Sequence, residues 1–149
     1  MDFTYDHGCA ILNDGSVKCW GSDNFGQLGD GGALPVAFST HSPSPVSVDL
    51  GIGRTAVSIA TGYYHSCAVL DNGSIVCWGA DDQGQLGNGG LSTSDQSSPS
   101  IAVDLGVGRT AVTVTAGRDH VCALLDDGSV KCWGDDFEGQ LGVGGNGFG

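Results

Sequence analysis

Short stretches of alternating apolar and polar residues, separated by groups of glycine and aspartate, extend along the whole chain. Residues 56–60 and 111–115 alternate in this way and are rich in β-branched side chains. Residues 67–70 and 74–78 flank a tight Asp71-Asn72-Gly73 turn. A period of two is typical of strands, and Gly/Asp groups are typical of the turns between them. Leu, Glu and Lys never recur at helical spacing, so the pattern predicts an all-β chain.

One pattern occurs three times without gaps. Residues 7–29 read HGCAILNDGSVKCWGSDNFGQLG, residues 65–87 read HSCAVLDNGSIVCWGADDQGQLG, and residues 120–142 read HVCALLDDGSVKCWGDDFEGQLG. Fourteen of these 23 positions are identical in all three copies. A second block, residues 48–62, recurs as residues 103–117. Self-similarity of this kind identifies a repeat protein with one hairpin core in each copy.

We interpret residues 1–149 as a single repeat domain. The offsets between copies are 58 and 55 residues, and the difference falls in the Ser/Pro-rich connections 30–47 and 88–102, which we predict to be surface loops. Each unit supplies four candidate extended segments, of which Gly-Gln-Leu-Gly and Val-Asp-Leu are the weaker two. Four short antiparallel strands in 50–60 residues match the size of a β-propeller blade, and a solenoid is the alternative.

The six cysteines form three pairs, each ten residues apart: Cys9 with Cys19, Cys67 with Cys77, and Cys122 with Cys132. Asn13-Asp14-Gly15 suits a three-residue hairpin loop whose last residue is left-handed. Counting outward from this loop places Cys9 opposite Cys19 in a non-hydrogen-bonded pair, where Cα atoms lie about 4.5 Å apart, within disulfide range. A two-residue Asp-Gly loop would instead pair Cys9 with Trp20. We predict three cross-strand disulfides.

Metal binding is the alternative for the same residues. Each copy has His-x-Cys and then a second Cys, which supplies three zinc ligands where structural zinc needs four, usually with closely spaced cysteines. The Asp-rich loops at residues 22–25, 80–83 and 135–138 lack the alternating ligands and closing Glu of an EF-hand. We interpret these loops as solvated turns and expect no cofactor.

Two further residue types occupy fixed positions in every copy. A histidine stands two residues before the first cysteine: His7, His65 and His120. A tryptophan follows the second cysteine: Trp20, Trp78 and Trp133. Because each histidine recurs, we expect a structural role, such as bonding a neighbouring backbone carbonyl, rather than catalysis. Each tryptophan points to the strand face opposite its cysteine, so we predict that it packs between adjacent repeats.

The charge balance restricts the partners. Acidic residues number 17 (16 Asp and Glu138) against five basic residues, which gives a formal charge of −12. Such a chain repels phosphate groups, so we expect no nucleic-acid binding and no docking on anionic membranes. No apolar run approaches the roughly 20 residues of a membrane span. Residues 1–6 have neither the basic start nor the apolar stretch of a signal peptide.

The combined motif resembles the regulator of chromosome condensation repeat. The second copy shows VSIATGxxHSCAxL at residues 57–70, WG at 78–79 and GQLG at 84–87. The third copy shows AGxxH at 116–120, WG at 133–134 and GQLG at 139–142. This resemblance covers most of the chain.

The resemblance implies a β-propeller with four-stranded blades and contacts with other proteins made by loops on its faces. Familiar members have seven blades and include a nucleotide-exchange factor for a small GTPase, a plant ultraviolet photoreceptor and a secreted β-lactamase inhibitor. Three copies are fewer than seven, so we expect an open arc or a partial propeller within a larger protein. Paired cysteines resemble those of secreted or surface members. We therefore expect an extracellular or cell-surface location, with the cytoplasm as the alternative.

Our leading functional hypothesis is a non-enzymatic module that binds another protein or a glycan. No unique set of catalytic residues stands out among the repeats. The alternative is an intracellular exchange-factor-like regulator of a small GTPase. Binding is expected at aromatic and arginine residues that differ between the copies, because such residues dominate binding energies. These candidates are Tyr5, Phe25, Tyr63, Tyr64, Arg118 and Phe137.

Self-association is a separate expectation. An arc of three repeats exposes two blade faces and unpaired edge strands, which favour pairing with another chain. We therefore expect a homo-oligomer that completes the ring.

Overall fold

A computed structural model of the chain describes residues 1–3, 6–32, 47–89, 95–99 and 101–142. These residues form three antiparallel sheets of three strands each, in the order β1-β2-β3, β4-β5-β6 and β7-β8-β9. We refer to them as the first, second and third repeats. The strands are β1 (Asp2–Phe3), β2 (His7–Ile11), β3 (Val17–Gly21), β4 (Ala56–Thr61), β5 (His65–Leu70), β6 (Ile75–Gly79), β7 (Ala111–Ala116), β8 (His120–Leu125) and β9 (Val130–Gly134).

The hairpin loop fixes the strand register, as the sequence predicts. The Leu12 amide donates to the Ser16 carbonyl at 2.8 Å, and the Gly15 amide donates to the Leu12 carbonyl at 2.9 Å. Gly15 has a positive φ of 80°, which is the left-handed position of a three-residue loop. Cys9 consequently lies opposite Cys19 rather than opposite Trp20. The loop prediction is confirmed.

The three predicted disulfides are present. Cys9–Cys19, Cys67–Cys77 and Cys122–Cys132 each join adjacent strands, with Cα atoms 4.1 Å apart. All six cysteines are used in this way. The His-x-Cys positions therefore carry no thiolate, which is the form of cysteine that binds zinc.

The apolar core lies between the repeats, because each sheet packs face to face on the next. Strand β4 contacts β2 on one side and β7 on the other. The first interface buries these residues: Cys9, Val17, Cys19, Leu28, Val48, Leu50, Ala56, Ala68, Leu70, Val76 and Trp78. The second interface buries the corresponding set: Ala60, Cys67, Val69, Ile75, Cys77, Leu86, Val103, Leu105, Ala111, Val114, Val121, Ala123, Leu125 and Trp133.

The two weaker strand candidates form no strands in the described sheets, which corrects the expectation of four strands per sheet. In residues 48–50 and 103–105, the valine is bonded to the first residue of the third strand of a repeat. The Val48 amide donates to the Val17 carbonyl at 3.0 Å, and the Val103 amide donates to the Ile75 carbonyl at 2.9 Å. Neither segment is a strand of the described sheets. The Gly-Gln-Leu-Gly segments form turns.

The predicted surface loops fall largely outside the described residues. In the second connection, residues 95–99 are described, and Gln96 pairs with Gly79 through two backbone hydrogen bonds of 2.8 Å. The Gly31 amide also donates to the Ser97 carbonyl at 2.7 Å, so this part of the connection reaches back to the first repeat. The described part of the chain contains no helix long and apolar enough to cross a membrane.

Candidate protein-interaction surface

Four of the recurring histidines and tryptophans lie at the interfaces between repeats: His7, His65, Trp78 and Trp133. His7 Nε2 lies 2.8 Å from Ser66 Oγ, and this hydroxyl donates to the Gln27 carbonyl at 3.0 Å. Trp78 Nε1 donates to the same carbonyl at 2.9 Å. Side chains of the second repeat thus bind the Gly-Gln-Leu-Gly turn of the first. His7 therefore contacts a hydroxyl at this interface. The bond from the recurring histidine to a backbone carbonyl, which the sequence predicts, stays a prediction.

The second interface has the same tryptophan contact as the first but lacks its contact between a histidine and a serine. Trp133 Nε1 donates to the Gln85 carbonyl at 3.0 Å. Val121 replaces the serine, so the hydroxyl link is absent at this position. His65 is fully buried. Among the described residues neither ring nitrogen meets strict hydrogen-bond geometry, but the backbone of His120 lies close enough to act on the imidazole and opposes the effect of burial on its pKa.

Burial keeps these imidazoles neutral. It lowers the pKa of His65 to about 3, and the neighbouring His7 and His120 act in the same direction. It lowers the pKa of His7 to about 4, although Asp2 opposes the shift. A neutral imidazole is chemically a base, but the His65 side chain has no exposed surface that a solute reaches. This favours a structural role over general-base catalysis.

Four glycines leave the space that the histidine and tryptophan rings occupy. The sequence did not identify these glycines as part of the interfaces. A Cβ atom at Gly62 or Gly117 would overlap the imidazole of the histidine three residues later. A Cβ atom at Gly29 would lie 2.6 Å from Trp78 Nε1, and one at Gly87 would lie 2.7 Å from Trp133 Nε1. The fixed Gly-x-x-His spacing and the last glycine of Gly-Gln-Leu-Gly were the available signals.

Four of the predicted binding residues form a continuous row on the surface. The ring centroids of Phe25 and Tyr64 lie 4.5 Å apart, and those of Tyr64 and Tyr63 lie 4.4 Å apart. The Arg118 guanidinium lies 5.3 Å from the centroid of the Tyr63 ring, within cation–π distance. Phe25 belongs to the first repeat, the tyrosines to the second and Arg118 to the third. We call this set of four residues the aromatic strip.

Backbone and ionic contacts hold the strip in place. The Tyr63 amide donates to the Arg118 carbonyl at 3.0 Å. Arg118 Nε lies 3.3 Å from Asp119 Oδ2, while 78 % of the arginine side chain stays exposed. Partial burial raises the pKa of Asp119, and Arg118 opposes the shift. Desolvation raises the pKa of Tyr64, with a further contribution from its hydrogen bond to Tyr63. The strip therefore combines ordered rings with an accessible cation.

Carboxylates lie near two residues of the strip, Tyr64 and Arg118. Asp6 acts electrostatically on Tyr64, and Asp82 and Asp135 act on Asp119. The pKa of Asp95 is also raised, first by burial and then by Asp82. The surroundings of Tyr64 and Arg118 thus carry negative charge, as does the chain as a whole. Across the described ranges, no group of three or more His, Cys, Asp or Glu side chains is arranged to hold a metal ion.

The other two predicted binding residues lie elsewhere. Phe137 is 80 % exposed at the turn after β9, where its amide donates to Asp135 Oδ1 at 3.0 Å, outside the strip. Tyr5 lies outside the described residues.

Comparison with protein families finds one family over most of the chain. A family model described as the regulator of chromosome condensation (RCC1) repeat matches residues 14–69 and 72–124. A second model with the same description matches residues 56–85 and 111–140.

Individual relatives carry similar repeats within longer chains. The human E3 ubiquitin-protein ligase HERC2 is 32 % identical over 143 residues, which cover 94 % of this chain and 3 % of HERC2. Protein pim1 of Schizosaccharomyces pombe is 30 % identical, with coverage of 93 % of this chain and 25 % of pim1. The chain thus spans a quarter or less of these relatives.

Solved structures show the same fold. The crystal structure of Prp20p from Saccharomyces cerevisiae matches with a TM-score of 0.81 and 21 % identity, over 96 % of this chain and 34 % of Prp20p. The crystal structure of human WBSCR16 matches with a TM-score of 0.77 and 25 % identity, over 96 % of this chain and 35 % of that protein.

Proposed function

The chain belongs to the regulator of chromosome condensation repeat family, and on that basis we propose that it is a non-enzymatic protein-interaction module whose binding surface is the aromatic strip. The observation that carries the proposal is the position of the strip. It joins all three repeats at positions that differ between otherwise identical copies. Tyr63-Tyr64 in the second repeat correspond to Arg118-Asp119 in the third. Residues kept for packing would be the same in each copy.

The chemistry of the strip favours a basic protein as the partner. Aromatic rings and arginine are the side chains that contribute most to protein–protein binding energies. The carboxylates near Tyr64 and Arg118 and the net charge of −12 attract positive surfaces and repel negative ones. Prp20p, which shares the fold, has binding properties toward Gsp1p and histones, and histones are basic proteins. That property belongs to Prp20p and here supports only the choice of probe.

The experiment measures binding of purified core histones to the chain by biolayer interferometry at two salt concentrations. We expect Tyr63→Ala with Tyr64→Ala to weaken binding at least about tenfold, since each ring is an anchor of the kind that costs more than about 1 kcal/mol when truncated. Ile52→Ala is the matched control, because Ile52 is fully exposed and belongs to no strip contact. Equal binding by the strip variant and the control would exclude the strip as the binding surface.

We also propose a glycan as the second class of partner, because the partly exposed rings of Phe25, Tyr63 and Tyr64 present flat apolar faces on which a sugar ring can stack. A glycan array probed with the same variants separates the two classes. If the tyrosine variant loses glycan binding and the unmodified chain does not bind histones, the partner of the strip is a carbohydrate rather than a protein.

The three disulfides support an extracellular or cell-surface location, since such bonds persist in oxidising compartments. The test is the intact mass of the protein isolated from its source after rapid thiol alkylation. Protein without alkyl groups is expected. Six alkylated thiols would indicate a reducing compartment and favour the alternative, a regulator of a small GTPase. One relative, the X-linked retinitis pigmentosa GTPase regulator homolog of Caenorhabditis elegans, is 32 % identical over 138 residues, which cover 9 % of that protein.

A further inference from the structure

One asparagine of the chain stands in the acceptor pattern for N-linked glycosylation. Asn72-Gly73-Ser74 matches Asn-x-Ser, with a residue other than proline in the middle. The other four asparagines lack a serine or threonine two residues later: Asn13, Asn24, Asn88 and Asn146. The pattern thus occurs once in the sequence, in the hairpin loop of the second repeat.

The loop holds this asparagine at the surface. Asn72 is exposed at the tip of the hairpin formed by β5 and β6. The next residue, Gly73, packs against the third repeat, because a Cβ atom built there would lie 2.5 Å from Thr110 Cβ. The Gly73 carbonyl also accepts from the Ala111 amide at 2.8 Å. The loop is therefore anchored through Gly73, and the side chain of Asn72 stays on the outside.

The fold uses the side-chain oxygen of Asn72 and not its nitrogen. Asn72 Oδ1 accepts from the Ser74 amide at 3.1 Å and from the Ser74 hydroxyl at 2.7 Å. Among the described residues, no hydrogen bond involves Asn72 Nδ2. Asn88 differs, because its Nδ2 donates to Asp81 Oδ2 at 2.9 Å. An N-linked glycan is attached to Nδ2, so it leaves both bonds of the Asn72 side chain intact.

The other two repeats show that the loop itself needs only an oxygen at this position. Asp14 and Asp127 stand there in the first and third hairpins. In both, Oδ1 accepts from the serine two residues later, at 3.0 Å from its amide and 2.6 Å from its hydroxyl. A carboxylate thus closes the loop with the same bonds as the amide. Because the serine belongs to the turn in every copy, the exchange of aspartate for asparagine alone completes the acceptor pattern.

We propose that the hairpin loop presents Asn72 as an acceptor and that Asn72 carries an N-linked glycan. The donor is an oligosaccharide joined to a lipid through a diphosphate. Nδ2 forms a bond to the anomeric carbon of the first sugar and loses one proton to a base of the transferase. The bond from that carbon to the diphosphate oxygen breaks, and the lipid diphosphate leaves with the electron pair. The inference rests on the extracellular or cell-surface location proposed above and not on the aromatic strip.

The glycan and the aromatic strip lie at opposite ends of β5. Tyr64 directly precedes this strand and Asp71 directly follows it. Six residues of an antiparallel strand span about 20 Å. The glycan therefore covers the loop end of the second repeat and leaves the strip open to a partner.

The first experiment uses the protein isolated from its source, digested to peptides and treated with a peptide N-glycosidase in water labelled with heavy oxygen. The enzyme converts a glycosylated asparagine to aspartate and introduces the label. We expect labelled aspartate at residue 72, and a matched incubation without the enzyme measures spontaneous loss of the amide. Thiol alkylation of the same sample separates this inference from the location on which it rests. Paired cysteines without a glycan would overturn the glycan alone, and free thiols without a glycan would overturn both.

The second experiment secretes the full chain from a eukaryotic host behind a cleavable signal peptide and determines the number of glycans by intact mass. The unmodified chain should carry one glycan. Asn72→Asp should carry none and should still fold, since aspartate closes the same loop in the other repeats. Ser74→Thr should keep the glycan, because threonine preserves both the hydroxyl and the acceptor pattern. Asn88→Gln is the matched control, since it removes an asparagine outside the pattern and should leave the glycan in place.

A gain of glycans tests the role of the loop. Asp14→Asn and Asp127→Asn each create the acceptor pattern in an equivalent hairpin, because Gly and Ser already follow. Each variant should gain one glycan over the unmodified chain, and circular dichroism verifies its folding. An unmodified chain secreted without a glycan, or a glycan that persists in Asn72→Asp, would overturn the proposal. No gain in either aspartate variant would overturn the assignment of the acceptor to the hairpin loop.

Discussion

The second and third repeats have nearly the same sequence and very different surroundings. Their hairpins are the same length, close with the same type of loop and carry the same disulfide. Every residue of β5 and β6 is buried, whereas β8 and β9 contain both buried and exposed positions. Ile75 is fully buried and its counterpart Val130 is 65 % exposed. The difference lies in the neighbours: within the described residues the second repeat packs between two sheets, and the third packs against one.

This comparison separates the stability that each repeat has by itself from the stability that it gains by packing on a neighbouring repeat. Turn geometry, strand register and the disulfide belong to each repeat alone and are the same in both. Burial of apolar surface, the dominant favourable term in folding, depends on the adjacent repeat. Equivalent substitutions should therefore have equal effects where they act on the hairpin itself and unequal effects where they act on packing.

The largest effect is expected from removing a disulfide. One variant replaces both Cys67 and Cys77 by alanine, and the other replaces both Cys122 and Cys132. Each disulfide joins cysteines ten residues apart, so by the chain-entropy model each double variant should lose about 3 kcal/mol of unfolding free energy. The second-repeat pair is fully buried and should lose a further ~1 to 2 kcal/mol in packing. Urea unfolding of both double variants measures the difference. Equal losses would show that packing contributes nothing at these positions.

The next effect concerns packing alone. Ile75→Ala should destabilise the fold by about 2 to 4 kcal/mol, because the side chain is fully buried between two sheets. Val130→Ala at the equivalent exposed position should cost less than about 1 kcal/mol. Both are measured by urea unfolding at a concentration where the chain is monomeric. Similar costs for the two variants would mean that the third repeat is covered in solution.

The buried histidines predict a loss of stability in mild acid. The pKa of His65 is lowered to about 3 and that of His7 to about 4, mainly by burial, against 6.5 for the free side chain. Below pH 6.5 the unfolded chain therefore binds protons that the folded chain does not. Stability should be unaffected above this pH and should fall by about 1.4 kcal/mol per pH unit for each histidine below it.

Urea unfolding at about pH 7, 6 and 5 measures this slope. His65→Asn should remove about half of it, because His7 still contributes. Burial raises the pKa values of Asp23, Asp81, Asp95 and Asp119, and these carboxyl groups act in the opposite direction in acid. The change in slope between the unmodified chain and His65→Asn, which both keep these carboxyl groups, therefore isolates the contribution of His65. A slope near zero in the unmodified chain would show that the imidazoles reach solvent in the folded state.

Hairpin geometry could be predicted from the sequence because its determinants are local. The position of Gly15 in the loop decides that Cys9 lies opposite Cys19. The same spacing in all three copies supports this inference three times. The family motif and the disulfides were available for the same reason.

Contacts between repeats could be predicted only in part. Phe25 and Tyr64 are far apart in sequence and meet because the sheets stack, so the sequence identified them as variable residues but not as neighbours. The role of Gly62 depends on where the ring of His65 turns, which no local pattern specifies. The apolar residues of the Val-Asp-Leu segment suggest a strand, yet the segment is held to its sheet through the amide of its valine and builds no ladder.

The smallest predicted difference lies in the surface ion pairs, where the third repeat has one more carboxylate. Arg54 Nη1 lies 3.4 Å from Asp71 Oδ2. Arg109 Nη1 lies 2.8 Å from Asp127 Oδ2 and 3.7 Å from Asp126 Oδ2, and Asn72 replaces the closer carboxylate in the second repeat. All these groups are partly exposed, so each pair contributes little.

Arg54→Ala should therefore cost less than about 0.5 kcal/mol, and Arg109→Ala about 0.5 to 1 kcal/mol, in urea unfolding at low salt. Asp127→Asn gives the third repeat the amide of the second and should reduce the cost of Arg109→Ala to that of Arg54→Ala. At about 1 M salt the Debye length falls to about 3 Å, and the two arginine variants should become equal. If the two arginine variants still differ in unfolding free energy at this salt concentration, the difference comes from packing of the arginine side-chain stem, and hence from the neighbouring repeat, rather than from charge.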